Sequence, residues 1–229
     1  MDVEKLDNPI WYSLNETHKD FAIDYNGIKF YHPEYCPFGG FIKPDTTESG
    51  IDTYALLTND FYVVGDRPIF NDKVQLKKEL VCNQMILDKK IDLEITEQIT
   101  ELQTTKQKND LFELVNLDQP GYFKSKTTDL GNYYGIYKEN KLIAVTGERM
   151  KMNGSTEVSA IVTHPEHIGK GYAKQLVTYT INKIFSEDKN PYLHFADTNI
   201  RAIRLYEKLG FWTRRKISFW NLITNDNIK

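Results

Sequence analysis

Thr163-His164-Pro165-Glu166-His167-Ile168-Gly169-Lys170-Gly171-Tyr172-Ala173 joins a strand-like segment to a helix-like one. Upstream, Glu157-Val158-Ser159-Ala160-Ile161-Val162-Thr163 is rich in β-formers and is stopped by His164-Pro165, because proline has no amide to continue a ladder. Downstream, Ala173, Leu176, Val177, Thr180, Ile181 and Ile184 recur at spacings of three and four and make one helix face. The glycines between them let the backbone approach a ligand closely. The free amides of the first helical turn point at such a ligand, and the helix dipole favours an anion. The segment by itself therefore reads either as a main-chain cradle for a diphosphate or as a plain loop before a helix. It is not a Walker loop, which needs Ser or Thr after Gly-Lys where Gly171 stands. It is not a Rossmann fingerprint either, because Lys174 fills the place of the third small residue and no clear ribose-binding strand follows.

Working outward, Tyr133–Lys138 and Leu142–Gly147 read as two strands joined by a hairpin at Glu139-Asn140-Lys141. Beyond the central helix, Tyr192–Ala196 is a further strand. Asp197-Thr198-Asn199 can cap a second helix, Gly210 suits its C-terminal end, and Phe211–Ile223 is a last strand. The order strand, strand, strand, helix, strand, helix, strand predicts an α/β sheet of mixed direction. Ahead of this, Asp88–Asn109 is strongly charged, and Ile95, Ile99 and Leu102 fall at helical spacing. A boundary is placed near residue 90. The earlier part is rich in aromatic and turn residues, with Phe61–Gly65 as a short strand.

At 229 residues, 40% hydrophobic and 13% aromatic, the chain can build a substantial core. A formal net charge of -3 argues against a general nucleic-acid binder. Cys36 and Cys82 are too few for a disulfide framework and suit a reducing compartment. No apolar run approaches the roughly 20 residues of a membrane helix. Met1-Asp2-Val3-Glu4-Lys5 does not open a signal peptide. The expectation is a soluble cytoplasmic protein with neither membrane nor nucleic-acid partner.

Thr163–Ala173 resembles the acyl-CoA loop of GCN5-related N-acetyltransferases (GNATs). Asn199-Ile200-Arg201-Ala202-Ile203-Arg204-Leu205-Tyr206-Glu207-Lys208-Leu209-Gly210-Phe211 resembles that family's second signature, at the expected distance downstream. Pro120–Phe123, Gly147–Met150 and Glu157–Val162 add a likeness to the FR47-like branch. The resemblance covers roughly residues 90 to 222. It implies a GNAT-type, mostly antiparallel central sheet flanked by helices over residues 91–229. Residues 1–90 are left as a region of unknown role, either a degenerate copy of the same fold or a part that shapes the acceptor pocket.

The resemblance also implies acetyl-CoA as co-substrate, no metal, and a small-molecule or peptide primary amine as acceptor. Main chain at Ile161, Val162 and Thr163 would pair with the pantetheine arm. Gly169, Lys170, Gly171, Tyr172, Ala173 and Lys174 would hold the pyrophosphate, and Asn199 would contact the cofactor from the opposite strand's end. The family usually has Arg or Gln where Ile168 stands, and His167 or Lys170 could supply the missing polarity.

Tyr206 matches the family tyrosine that protonates the departing thiolate, although Ile203, Tyr206 and Leu209 also share a helix face that would simply be buried. Glu157 stands where several relatives keep a general base, needed because an amine of pKa near ~10.4 is almost wholly protonated at neutral pH. The bland reading is a solvated carboxylate at a strand start. Glu148 is a weaker candidate whose alternative is an ion pair with a nearby basic residue. His18, His32 and His194 show no metal-ligand spacing and read as structural. The rival to an enzyme is a non-catalytic acyl-CoA sensor or adaptor, which would keep the glycine loop but need not keep Glu157 and Tyr206.

Overall fold

The computed structural model describes residues 3–118 and 120–225. Its strands are β1 (Ala22–Asp24), β2 (Ile28–Tyr31), β3 (Phe38–Phe41), β4 (Asp60–Val64), β5 (Val74–Ile86), β6 (Thr100–Glu101), β7 (Tyr133–Lys138), β8 (Lys141–Met152), β9 (Ser155–Thr163), β10 (Asn190–Ala196) and β11 (Trp212–Thr224). Its α-helices are α1 (Pro9–Asn15), α2 (Glu48–Tyr54), α3 (Thr105–Asp118), α4 (Tyr172–Ser186) and α5 (Ile200–Lys208). The strands form one continuous sheet in the order β1-β2-β3-β4-β11-β5-β10-β9-β8-β7-β6.

That order has a mirrored logic. In the C-terminal half, β7, β8 and β9 form an antiparallel meander, and α4 carries the chain over to β10, which runs parallel to β9. In the N-terminal half, β1, β2 and β3 form a similar meander, and α2 leads to β4, parallel to β3. The two long strands that end each half change places. Strand β5 pairs with β10 on one side and β11 on the other, while β11 also pairs with β4. The boundary near residue 90 falls just after β5, a strand whose hydrogen-bonding neighbours both lie beyond that boundary.

Alternation along the strands sorts residues to the two faces. Tyr134, Ile136 and Ala144 pack under Tyr172 and Leu176 of α4, and Val158 and Leu193 meet Val177, Ile181 and Ile184 further along that helix. On the opposite face Tyr133, Val145, Ala160 and Val162 meet Leu111, Leu114 and Val115 of α3. The strand and helix assignments from Tyr133 onward agree with the sequence expectation.

The helical reading of residues 88–109 is corrected. Residues 91–99 carry no helix, and the helix begins only at Thr105. The isoleucines also fit a period of two, and burial alternates from Ile91 to Ile99. Side chains of α4 satisfy this extended backbone. Asn182 bonds both the amide and the carbonyl of Ile91, and Gln175 Oε1 accepts from the amides of Thr96 and Glu97. These bonds replace those a helix would have made internally.

A chain cut to residues 91–229 leaves β10 and β11 without the strand that joins them. It should show no cooperative melt by circular dichroism and should aggregate on size exclusion. A soluble fragment with a sharp thermal transition would contradict this reading of the central strands.

Candidate active site

The parallel pairing of β9 with β10 covers Ser155, Thr156 and Glu157 against Asn190, Pro191 and Tyr192. Beyond Glu157 and Tyr192 the two strands part, and among the described residues the edge of β9 that faced β10 has no strand partner from Val158 onward. On its other edge β9 is bulged. Its register with β8 slips between Val145 and Gly147, and Ala160 takes φ 50. A bulge of this kind leaves main-chain groups outside the ladder and re-aims them.

The gap opens into a cavity of about 1040 Å³. Ile161, Thr163, Gly169, Gly171, Tyr172, Ala173, Lys174, Asn199 and Tyr206 all line it. Val162, Lys170 and Glu157 do not. The Val162 side chain packs towards α3, as its neighbours on alternate sides require, and Lys170 reaches the ring of His167 at 3.4 Å. Gly169 and Gly171 adopt φ +84 and +83, a region L side chains avoid, and nothing lies within 4 Å of a Cβ built on either. The constraint at these glycines is therefore backbone shape, and the space beside them is open. Gly171 caps α4 without a side-chain bond to its amides, so the first-turn donors remain available to an anion. Asn199 caps α5 and accepts from the Ala202 amide at 3.0 Å.

Tyr206 lies on α5, 5% exposed, with Phe195 and Phe211 rings 5.1 and 5.9 Å away. Burial pushes its hydroxyl pKa well up, so it stays protonated through neutral pH.

Glu157 sits where the strands part, 1% exposed. Arg149 grips it with Nε at 2.9 Å and Nη2 at 3.0 Å, and His194 Nδ1 lies 2.9 Å from Oε1. Burial opposes ionisation, but the Arg149 charge and the His194 hydrogen bond outweigh it and hold the carboxyl pKa at about 2. A carboxylate held this low takes up a proton poorly, which weighs against the general-base role expected for Glu157. It is not a solvated strand-start residue either. Its partner His194 lines the cavity and is held by Gln84, whose Nε2 donates to His194 Nε2 at 3.0 Å. The Gln84 amide is itself oriented by the Leu6 carbonyl and by Arg214. His194 is therefore satisfied at both nitrogens, as expected of a structural histidine. Glu148 lies apart from the cavity and pairs with Lys151 at 2.7 Å, the bland alternative considered for it.

Sequence reasoning missed the wall supplied by the N-terminal half. Phe38, Asp60, Tyr62, Leu80 and Cys82 line the same cavity as the glycine loop. Arg149 was also missed, although opposite charges across the β8–β9 hairpin offered a signal.

A mixed sheet that splits between two parallel strands, with a glycine turn opening a helix at the split, is the fold of the GCN5-related N-acetyltransferases, to which this chain is similar. The family model of the FR47-like protein matches residues 133–220. A putative acetyltransferase of the GNAT family from Novosphingobium aromaticivorans is 28% identical at a TM-score of 0.87, covering 96% of this chain and 98% of that one. A GCN5-related N-acetyltransferase from Kribbella flavida shares the fold at 12% identity and a TM-score of 0.60, covering 94% and 93%. A GCN5-related N-acetyltransferase-like protein from Streptococcus suis does so at 14% and 0.58, covering 95% and 96%. No curated protein matches the chain. No described helix is long and apolar enough to cross a membrane.

Two predictions follow from this geometry. Gly171→Glu forces a strained backbone and sets a negative charge at the cradle, so CoA affinity by calorimetry should fall by at least about tenfold, the loss of one or two charge-assisted hydrogen bonds; wild-type affinity would remove the loop from the binding site. Glu157→Gln leaves Arg149 buried without its counter-charge, which costs about 3–5 kcal/mol and should lower Tm by about 10 °C. In the wild type the carboxylate's contribution is present above the unfolded pKa of 4.5 and is lost as pH falls from there towards about 2. An unchanged Tm, with activity lost at neutral pH and restored at high pH, would return Glu157 to the role of base.

Proposed function

We propose that the protein transfers an acetyl group from acetyl-CoA to a primary amine by direct attack. The observation that carries this reading is that the glycine cradle, the unpaired edge of β9 and Tyr206 all line one cavity, which then continues past them to the N-terminal strands. An acyl-CoA sensor needs only the first part of that space. A transferase needs room for two reactants side by side, and positioning them is the larger part of its catalytic task.

In this reading the pyrophosphate sits on the amides of Gly169 to Lys174, and the pantetheine arm adds to β9 at Ile161, Val162 and Thr163 as an extra strand would. Asn199 flanks the arm from the far side of the gap. A main-chain amide near Val162, re-aimed by the bulge at Ala160, donates to the thioester oxygen as charge develops there. The amine nitrogen bonds to the carbonyl carbon, the carbon–sulfur bond breaks, and the Tyr206 hydroxyl gives its proton to the thiolate. The amine reacts as its free base, having lost its ammonium proton to solvent, and the proton it sheds after attack returns through water to the tyrosinate. Glu157 acts as a positioning residue that fixes Arg149 and His194 at the mouth of the gap. The N-terminal half, whose strand order mirrors the C-terminal half, is a degenerate copy of the same fold that has kept the sheet, lost the glycine cradle and taken on the shaping of the acceptor end.

Tyr206→Phe keeps the ring among Phe195 and Phe211 and removes only the hydroxyl. Turnover at saturating acetyl-CoA and amine should fall by about 10²-fold, with Tm and CoA affinity close to wild type. Wild-type turnover, with chemistry rate-limiting, would exclude Tyr206 as the acid.

A further inference from the structure

The end of the cavity remote from the glycine loop is built by β4, β5 and β11, and Asp60, Tyr62, Lys77, Phe219 and Asn221 line it. Asn221 is 1% exposed. Its Nδ2 donates to Asp60 Oδ1 at 2.6 Å and to the Phe61 carbonyl at 3.1 Å, which fixes the orientation of the amide. Among the described residues its Oδ1 then has no partner. A buried acceptor without a partner is destabilising, so this oxygen calls for an N–H or O–H donor. Beside it, Asp60 Oδ2 meets Lys77 at 2.9 Å, with the two side chains 48% and 51% exposed. A half-exposed pair of this kind is weakly held, screened by solvent, and yields readily to another cation.

Between this end and the gap runs a wall of rings. His194 lies 5.6 Å from Phe219, Phe219 lies 5.5 Å from Phe38, Phe38 lies 5.7 Å from Tyr62, and Tyr62 lies 5.4 Å from Tyr122. Such a wall suits an alkyl chain along its length, and its ring faces attract a cation. Together these features provide an apolar track that ends on a carboxylate and an unpartnered carbonyl-type oxygen.

We propose that this end binds the second, non-reacting ammonium group of the acceptor, so that the preferred substrates are α,ω-diamines or longer polyamines. The ammonium replaces Lys77 on Asp60 and, once that side chain has swung away, donates to Asn221 Oδ1, which is closed to solvent in the free protein, while its alkyl chain lies along the rings and presents the other nitrogen at the gap. This rests on the acetyl-transfer reading above. Lys78 and Lys124 also line the cavity and would favour an acidic tail instead, so the test sets the two charges against each other.

The experiment compares kcat/KM, with acetyl-CoA, for α,ω-diamines from 1,3-diaminopropane to 1,8-diaminooctane, for monoamines of the same lengths, and for ω-amino acids of the same lengths. The best diamine should exceed its monoamine by about ten- to hundredfold, the worth of one or two charge-assisted hydrogen bonds, and the ω-amino acid should be poorest. Asp60→Asn should collapse the diamine-to-monoamine ratio towards one, chiefly through a raised KM for the diamine. Equal use of diamine and monoamine, as expected if water alone satisfies Asn221, would overturn the proposal, and so would a preference for the ω-amino acid. In both cases acetyl transfer itself still stands. If no amine is acetylated although CoA binds, the transferase reading fails. Calorimetric binding of the diamines to the protein–CoA complex then decides the subsite, and affinity no greater than for the monoamines would overturn it.

Discussion

Glu157 lies at the point where two parallel strands stop being partners, and its charge organises what surrounds that point. The carboxylate is almost wholly buried, so it persists only because Arg149 binds it through two nitrogens and His194 through a third. Arg149 comes from β8, Glu157 from β9 and His194 from β10, so one ion pair and one hydrogen bond tie three neighbouring strands together just before β9 and β10 diverge. Arg149 in turn lies 4.8 Å from the ring of Phe38, which joins this knot to the N-terminal half. His194 continues it through Gln84 to β5 and through Arg214 to β11. Loss of the carboxylate would leave an unpaired guanidinium at the centre of this network, so structural and functional demands on the residue are hard to separate.

The exchange of β5 and β11 sets the second constraint. Each half contributes a long final strand to the other half's edge, so neither half closes its sheet alone. This arrangement makes the cavity a joint product of the two halves. The cradle and Tyr206 belong to the C-terminal half, whereas Phe38, Asp60 and Tyr62 belong to the N-terminal half and face them across the same space.

What the sequence made legible was local. The run from Glu157 to Ile184 encodes strand, stop, glycine turn and helix within a single window, and each signal rests on chemistry between near neighbours. The order of the C-terminal strands followed from the same kind of reading. The placement of β5 between β10 and β11 did not, because it depends on pairing across more than a hundred residues and leaves no periodic trace. Residues 91–99 were ambiguous for a different reason. Isoleucines spaced by four satisfy both a helix and a strand, and side chains on α4, far along the chain, decided between them. Phe38, Tyr62 and Phe219 did not announce a cavity, because rings that line a cavity and rings that fill one look alike in sequence. Glu157 was found by resemblance, but its role turned on Arg149 and His194, whose contacts no motif announces.

In the proposed reaction the thioester reacts in the gap between β9 and β10. In a crystal structure of the protein with CoA the pyrophosphate should lie against the amides of Gly169 to Lys174, the pantetheine arm along the free edge of β9, and the sulfur within hydrogen-bonding reach of the Tyr206 hydroxyl. CoA bound with its thiol outside the gap, or with the sulfur pointing away from Tyr206, would contradict it.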